Sequence, residues 1–419
     1  MDAVIAGQLL VEQGRRRAGL TPGTVVVRGD RIVEVVPGLH PSPDFGGPEH
    51  LITPGFIDTH VHLPQFDSIG AEGLELLDWL ERVIFPAEAR WVDASYAASM
   101  AARVAGDLLS CGTTSVAAYA TSHHAATRAA IESLASAGMS GYVGQVLMDR
   151  NGPTELLCPA REALASAAML EPRGWIRPAV TPRFAITCSN ELLCGAAELA
   201  REKGWMIQTH LAETLREMEA VERFFIDLSY PHVYGERGLL GPRTVLAHGI
   251  WLDDDDLKYL RQFGCVIAHC PTANRFLEAG EMNLGRTLQA GVPASLGSDV
   301  AGGPDRSMVR VARAMIETAK QVKQGAASTP SDRATDEEVW ARGAPDAREA
   351  WWQITMGNAD SIGLDGAGRI SPGAWADLVV IKPSSTWMGS VDPLAAVLWG
   401  WDDRWIEATL ASGRLGYRK

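Results

Sequence analysis

The sequence predicts an α/β fold: a closed (β/α)8 barrel of the TIM type, with a small β-sandwich domain assembled from both chain ends. Three observations predict it. Apolar runs of strand length alternate with helix-patterned segments from about residue 51 to 323. Histidines and an aspartate stand where several of those runs give way to loops. Strand-patterned segments recur before and after the alternating region. A chain of 419 residues is long enough for one barrel and a satellite.

The elements follow in order. Residues 24–36 read as a hairpin with Gly29-Asp30 at the turn, and a loop over 41–48 leads into the barrel. Barrel strands are predicted at 51–60, 113–120, 142–148, 176–183, 206–212, 244–249, 265–271 and 293–299. Helical patterns lie between them, among them Ala94–Ser110, 192–203 and 253–263. Residues 323–348 are polar and read as a long surface excursion. Strand-like runs return at 376–381 and 406–410. The predicted division is a barrel over 54–364 and a composite β domain from 1–53 and 365–419.

Composition narrows the function. The formal net charge is −13, so phosphate backbones and anionic lipid surfaces are repelled; neither nucleic acid nor membrane is expected as a partner. Six cysteines are scattered at 111, 158, 188, 194, 265 and 270 without a Cys-x-x-Cys pair, which reads as reduced thiols. The chain lacks an apolar run of about 20 residues and a basic-then-apolar leader, which predicts a soluble cytoplasmic protein.

The chemistry sits at predicted strand ends. In Asp58-Thr59-His60-Val61-His62 the two histidines share one face, because strand side chains alternate. His210, His248 and Asp299 end later strands, and a barrel places such residues together at its C-terminal face. Neutral imidazoles with a carboxylate suit a borderline divalent metal, zinc or iron(II), with a position left for water. A solitary histidine is most often a packing or surface residue, and His40, His50, His123, His124 and His232 read that way. His269, at the end of the seventh strand, is a candidate for a place behind the ligands. Glu213 stands three residues after His210, placed to carry protons; the competing role is to cap the helix beginning near Thr214.

Taken together, Pro54-Gly55-Phe56-Ile57-Asp58-Thr59-His60-Val61-His62, His210-Leu211-Ala212-Glu213, Ala247-His248-Gly249 and Gly297-Ser298-Asp299 resemble the amidohydrolase superfamily, in its aminohydrolase branch. The resemblance implies His60, His62 and His210 as metal ligands and Asp299 as a further ligand and base. It implies His248 against substrate or hydroxide and Glu213 as the proton shuttle. Two-metal members carry a bridging carbamylated lysine near the end of the third or fourth strand; none stands there, so one metal ion is expected.

A narrower set resembles the guanine deaminase family of that branch: His60-Val61-His62-Leu63-Pro64-Gln65-Phe66, Trp79-Leu80 with Phe85-Pro86-Ala87-Glu88, Thr181-Pro182-Arg183-Phe184, Ile267-Ala268-His269-Cys270-Pro271 and Asp299-Val300-Ala301-Gly302-Gly303. It implies hydrolysis of guanine to xanthine and ammonia, a small-molecule purine substrate, one zinc ion and a homodimer. Gln65, Arg183 and Phe184 then read as substrate-binding with His248. Gln65 offers an amide that donates and accepts, Arg183 a donor fork for a carbonyl, and Phe184 a ring face or a backbone N–H. The alternatives are a related aminohydrolase acting on 8-oxoguanine, a pterin or a triazine, and a ring-opening cyclic amidohydrolase. Thr272-Ala273-Asn274-Arg275 departs from the family pattern after the seventh strand.

Overall fold

The structure is a computed structural model that describes residues 2–328, 344–384 and 386–419. The chain opens with β1 (Ala3–Glu12), β2 (Ala18–Arg28), β3 (Arg31–Pro37) and β4 (Phe45–Pro54). The hairpin is where the sequence put it. Arg28 pairs with Arg31 across Gly29-Asp30, and Gly29 takes φ 61°, which costs a glycine nothing.

The barrel strands follow: β5 (Phe56–His62), β6 (Thr113–Tyr119), β7 (Ser140–Leu147), β8 (Trp175–Pro182), β9 (Met206–Leu211), β10 (Thr244–His248), β11 (Val266–His269) and β12 (Ala294–Leu296). They form an eight-stranded sheet in sequence order, each strand parallel to the next. Strands covered on both faces need apolar side chains throughout, which is why these segments read as continuous runs. Ile57, Ala117, Ala179, Val245 and Ala268 belong to one buried cluster with Ile362, Leu364 and Trp375, an apolar plug contributed by the C-terminal part of the chain.

β12 has three residues, and side chains and loop backbone complete the seam between it and β5. Asn358 donates to the carbonyls of Ile57 (2.7 Å) and Leu296 (2.9 Å) and accepts from the Leu296 N–H (2.9 Å). One amide side chain thus stands in for a rung of the ladder. Past the strand, Asp299 donates its N–H to His60 O (2.8 Å), and His62 donates to Val300 O (3.2 Å).

From the far end of the chain, β13 (Leu378–Ile381), β14 (Ile406–Ala411) and β15 (Arg414–Arg418) join the first strands in a separate seven-stranded sheet, ordered β15-β14-β13-β4-β1-β2-β3. Ile5, Leu9, Val25 and Ile32 share a core there with Leu378, Val380 and Leu410.

Three expectations are corrected. The strand predicted over 51–60 is two strands of two sheets, which part at Gly55. A Cβ on Gly55 would stand 2.0 Å from Thr114 Oγ1, so only glycine lets the chain cross there. The eighth strand ends at Leu296 rather than 299. Gly297 passes so close to His60 that a Cβ would meet the His60 Cβ at 2.6 Å, and the chain then leaves the sheet. The predicted excursion over 323–348 begins too early. A helix spans Met308–Ser328, and another, capped by the Asp346 side chain, starts at Ala347. Residues 329–343 of that excursion lie outside the described residues. Among the described residues, no helix is long and apolar enough to cross a membrane.

Candidate active site

His60 and His62 emerge from β5 with rings edge-on, centroids 4.9 Å apart and Nε2 atoms 3.3 Å apart. From β9, His210 brings its Nε2 to 3.2 Å from that of His62. Asp299 Oδ1 lies 3.2 Å from His60 Nε2 and 3.3 Å from His62 Nε2. His248, the last residue of β10, sets its Nε2 3.9 Å from Asp299 Oδ2 and 3.4 Å from Glu213 Oε2. Ligand atoms of His60, His210, His248 and Asp299 all lie within 4.8 Å of one another. His62 falls outside that foursome, yet its Nε2 lies 3.2–3.3 Å from ligand atoms of His60, His210 and Asp299, so five donors crowd one space.

Backbone conformation turns these side chains inward. His248 has φ 74° and Asp299 φ 48°, and Ala212, between His210 and Glu213, has φ 50°. Each is a non-glycine residue in the left-handed region, at a cost of on the order of 1 kcal/mol, and each sits where a barrel strand gives way to the catalytic face.

Burial decides the charges. It pushes the imidazoles down: His62 to about 4, and His60 and His210 below the usual histidine range. Burial alone would raise the Asp299 carboxyl, but the facing His60 and His62 rings hold it well below the ordinary carboxylate range. Neutral imidazoles facing an ionised carboxylate form a donor set with a cation-shaped need. Lone pairs on Nε2 atoms 3.2 and 3.3 Å apart repel unless something positive stands between them. The residues present therefore fit a divalent metal ion.

Neighbours fix the tautomers. His210 Nδ1 donates to the Arg183 carbonyl (2.7 Å), which leaves Nε2 with its lone pair toward the cluster. His248 Nδ1 donates to Asn274 Oδ1 (3.0 Å). Tyr234 donates its hydroxyl to the His210 carbonyl (2.7 Å). Behind β5, Asp58 accepts from Ser298 N (2.9 Å) and Ser298 Oγ (2.5 Å), tying the strand end to the loop that carries Asp299.

Glu213 does not cap the helix that follows it. Thr214 and Glu217 form a reciprocal capping box for helix Leu215–Phe224, and the Glu213 N–H itself donates to Glu217 Oε2 (2.7 Å). The Glu213 side chain is left for the cavity, with Oε1 buried and without a hydrogen-bond partner among the described residues. Burial, with the charges of Asp299 and Glu217, pushes its carboxyl well above the usual range.

The cavity is lined by His62, Gln65, Leu76, Trp79, Leu80, Arg183, Phe184, His210, Glu213, His248, Leu277 and Asp299. Of the candidate metal ligands, catalytic and substrate-binding residues, all line it except His60, which touches it through Asp299 and His62, 3.2 and 3.3 Å away. A wider cleft lined by Glu12, Arg16, Leu288 and Trp352 contains none of these groups. Gln65 is buried in a 3-10 turn, Leu63–Ser68, rather than on a surface loop. The Phe184 ring meets His210 at 6.4 Å.

The other histidines stand apart. His50 pairs with Glu407 (3.0 Å), and His232 stacks on Tyr259 (3.8 Å). His269 ends β11 buried; neither ring nitrogen has a partner among the described residues, and burial pushes it down to about 3.

Sequence reasoning missed three residues. Glu88 is buried and takes Gln65 Nε2 (2.9 Å) on one oxygen and Arg183 Nη1 (2.6 Å) on the other. Its signal was present, a carboxylate closing Phe85-Pro86-Ala87-Glu88. Asn274, inside the departing segment, orients His248. Tyr119 packs its ring within 5.0 Å of His60, His62 and His210; nothing in the sequence marked it out from a core tyrosine.

The profile of the Amidohydrolase family matches residues 51–416. This chain belongs to the amidohydrolase family. Among its members, guanine deaminase of Escherichia coli (strain K12) is 34% identical over 386 residues, which cover 88% of this chain and 83% of that protein. Among solved structures, guanine deaminase from Bradyrhizobium japonicum superposes over 100% of both chains with TM-score 0.93 and 27% identity. Guanine deaminase from C. acetobutylicum, with guanine bound in its active site, matches 99% of this chain and 100% of its own, with TM-score 0.89 and 27% identity.

Proposed function

We propose that this amidohydrolase deaminates guanine to xanthine and ammonia. The cavity carries the reading. Gln65, Arg183 and Phe184 share it with Glu213, His248 and Asp299, so groups suited to a purine carbonyl edge face groups suited to hydrolysis. The similarity to guanine deaminases over most of the chain supports the same substrate.

A divalent metal held by His60, His62, His210 and Asp299 supplies, when bound, a water whose pKa is lowered to about 7. The same donors suit zinc or iron(II); zinc is the ion proposed, one per chain, because Arg183 rather than a lysine follows β8. Guanine enters with its O6 toward the Arg183 donors and its ring against Phe184. Glu213, protonated at the outset, delivers its proton to N3, and C2 becomes electrophilic. Asp299 takes a proton from the attacking water as the oxygen adds to C2. His248 hydrogen-bonds to that oxygen and stabilises the charge developing there. Glu213, now ionised, takes the remaining hydroxyl proton and passes it to the exocyclic nitrogen; the C2–N bond breaks as C2=O forms, and the proton held by Asp299 resets Glu213. In net terms, the two protons of water supply one on N3 of xanthine and one on ammonia.

The experiment is ammonia release from metal-replete protein with guanine, 8-oxoguanine, isoxanthopterin, melamine and adenosine side by side. Guanine is expected far ahead. Turnover of another amine alone would keep the mechanism and remove the substrate; no ammonia from any of them would remove both. The reading extends to a cytoplasmic homodimer acting in purine breakdown, as the family resemblance implies. Sedimentation equilibrium reads the oligomeric part, and a monomer at working concentration would discard it.

A further inference from the structure

We propose that Glu88 is a positioning residue that sets which bases the cavity accepts, by locking the Gln65 amide in one orientation. The inference rests on guanine being the substrate. Gln65, Glu88 and Arg183 are all about 98% buried, so their polar atoms must be satisfied by one another or by what enters the cavity. A carboxylate paired with a guanidinium at 2.6 Å can only accept hydrogen bonds. Its second oxygen lies 2.9 Å from Gln65 Nε2. Gln65 must therefore turn its NH2 toward Glu88, and its carbonyl oxygen is the atom left for a ligand. Arg183 spends Nη1 on Glu88 and keeps its remaining donors.

The wall thus presents donors from Arg183 beside an acceptor from Gln65. Guanine offers the complement on adjacent atoms, the acceptor O6 and the donor N1–H. A purine whose N1 carries no hydrogen would set a lone pair against the Gln65 oxygen. Rejection by an unpaired buried acceptor is strong, because neither atom has water to turn to.

Glu88→Gln inverts this logic at almost constant shape. Arg183 can only donate, so it claims the oxygen of the introduced amide. The NH2 of that amide then faces Gln65. Gln65 must rotate to accept from it, and so presents its own NH2 to the cavity. A donor there favours an unprotonated N1.

The test compares kcat/KM for guanine and for 2-aminopurine, which undergoes the same exchange of a C2 amine for water but has a bare N1. In Glu88→Gln the guanine to 2-aminopurine ratio is expected to fall by at least about tenfold. Glu88→Asp, which keeps an acceptor-only group, should hold the ratio toward the wild-type side. A purely structural role would lower both substrates in parallel. An unchanged ratio in a Glu88→Gln protein with wild-type thermal midpoint and metal content overturns the proposal. If that variant does not fold, Gln65→Met decides: a ratio undiminished without the amide overturns it equally. Wild-type protein inactive on guanine, seen in the control, removes the substrate reading itself and is thereby distinguished from failure of the Glu88 role.

Discussion

The two sides of the cavity are built by different means. On the side of His60, His62, His210, His248 and Asp299, position comes from backbone: strand ends, left-handed residues, and main-chain hydrogen bonds such as Asp299 N–H to His60 O (2.8 Å). On the side of Gln65 and Arg183, position comes from one buried carboxylate that both residues share. The first arrangement is a property of the barrel and is hard to alter without unfolding the strand ends. The second depends on three side chains and changes with any one of them. In the proposed reaction, chemistry is attached to the fold and recognition to a small charge network.

Variants break or sharpen that contrast. The largest effect belongs to Asp299→Ala: turnover should fall to background, and bound metal, counted by elemental analysis, should drop well below one ion per chain. Retained metal with retained activity would detach Asp299 from the centre. Glu213→Gln comes next. It should lower kcat by about 10^2 to 10^4-fold while metal content stays at the wild-type value; equal activity would end the shuttle role.

Arg183→Ala tests the other side. It leaves Glu88 buried without its cation, and breaking such a pair typically costs about 3–5 kcal/mol. A chemical-denaturation midpoint unchanged by the substitution would show the network to be worth less than its burial implies.

The smallest effect lies outside the cavity and is a question of pH. Burial pushes the Asp377 carboxyl up to about 7, and the hydrogen bond it accepts from Ser412 N pulls the other way. The folded state then holds a proton that the unfolded chain releases near pH 4, so stability falls as pH rises from about 4 to 7 and the full cost persists above. Asp377→Asn should therefore gain stability relative to wild type between pH 4.5 and 8, by up to about 4 kcal/mol. Parallel stability curves for the two proteins would refute it.

Much of this could be read from the residues. The barrel strands announced themselves because burial on both faces demands unbroken apolar runs, and the clustered residues because four histidines and an aspartate fall together at matching strand ends. What stayed hidden has a common physical form. Glu88 and Asn274 act through contacts between segments far apart in the chain, and a carboxylate in a helical turn looks like any solvated one until its neighbours are known. The end of the eighth strand was misplaced because no charged residue or proline interrupts the run from Ala294 to Ser298; the closeness of Gly297 to His60 decides the exit, and that closeness is tertiary. The crossing at Gly55 was missed for the same reason. Local apolarity continues through it, and only the partner strands differ on its two sides.

The seam between β5 and β12 carries a consequence for the order of events on the ribosome. Its amide rung comes from Asn358, some sixty residues after the strand it completes, and the plug beneath it includes Trp375. Once residues up to Asp299 have emerged, every side chain of the His60, His62, His210, His248 and Asp299 cluster already exists, but the Asn358 rung between the two flanking strands is still unsynthesised. The seam can then form its bonds at Asp299 and Val300 but lacks the Asn358 rung and the C-terminal plug, so its closing is expected late in translation. Pulse proteolysis of stalled chains should find the C-terminal face of the barrel protected only once Asn358 has cleared the exit tunnel, so that the proposed centre is completed near the end of the chain's own synthesis.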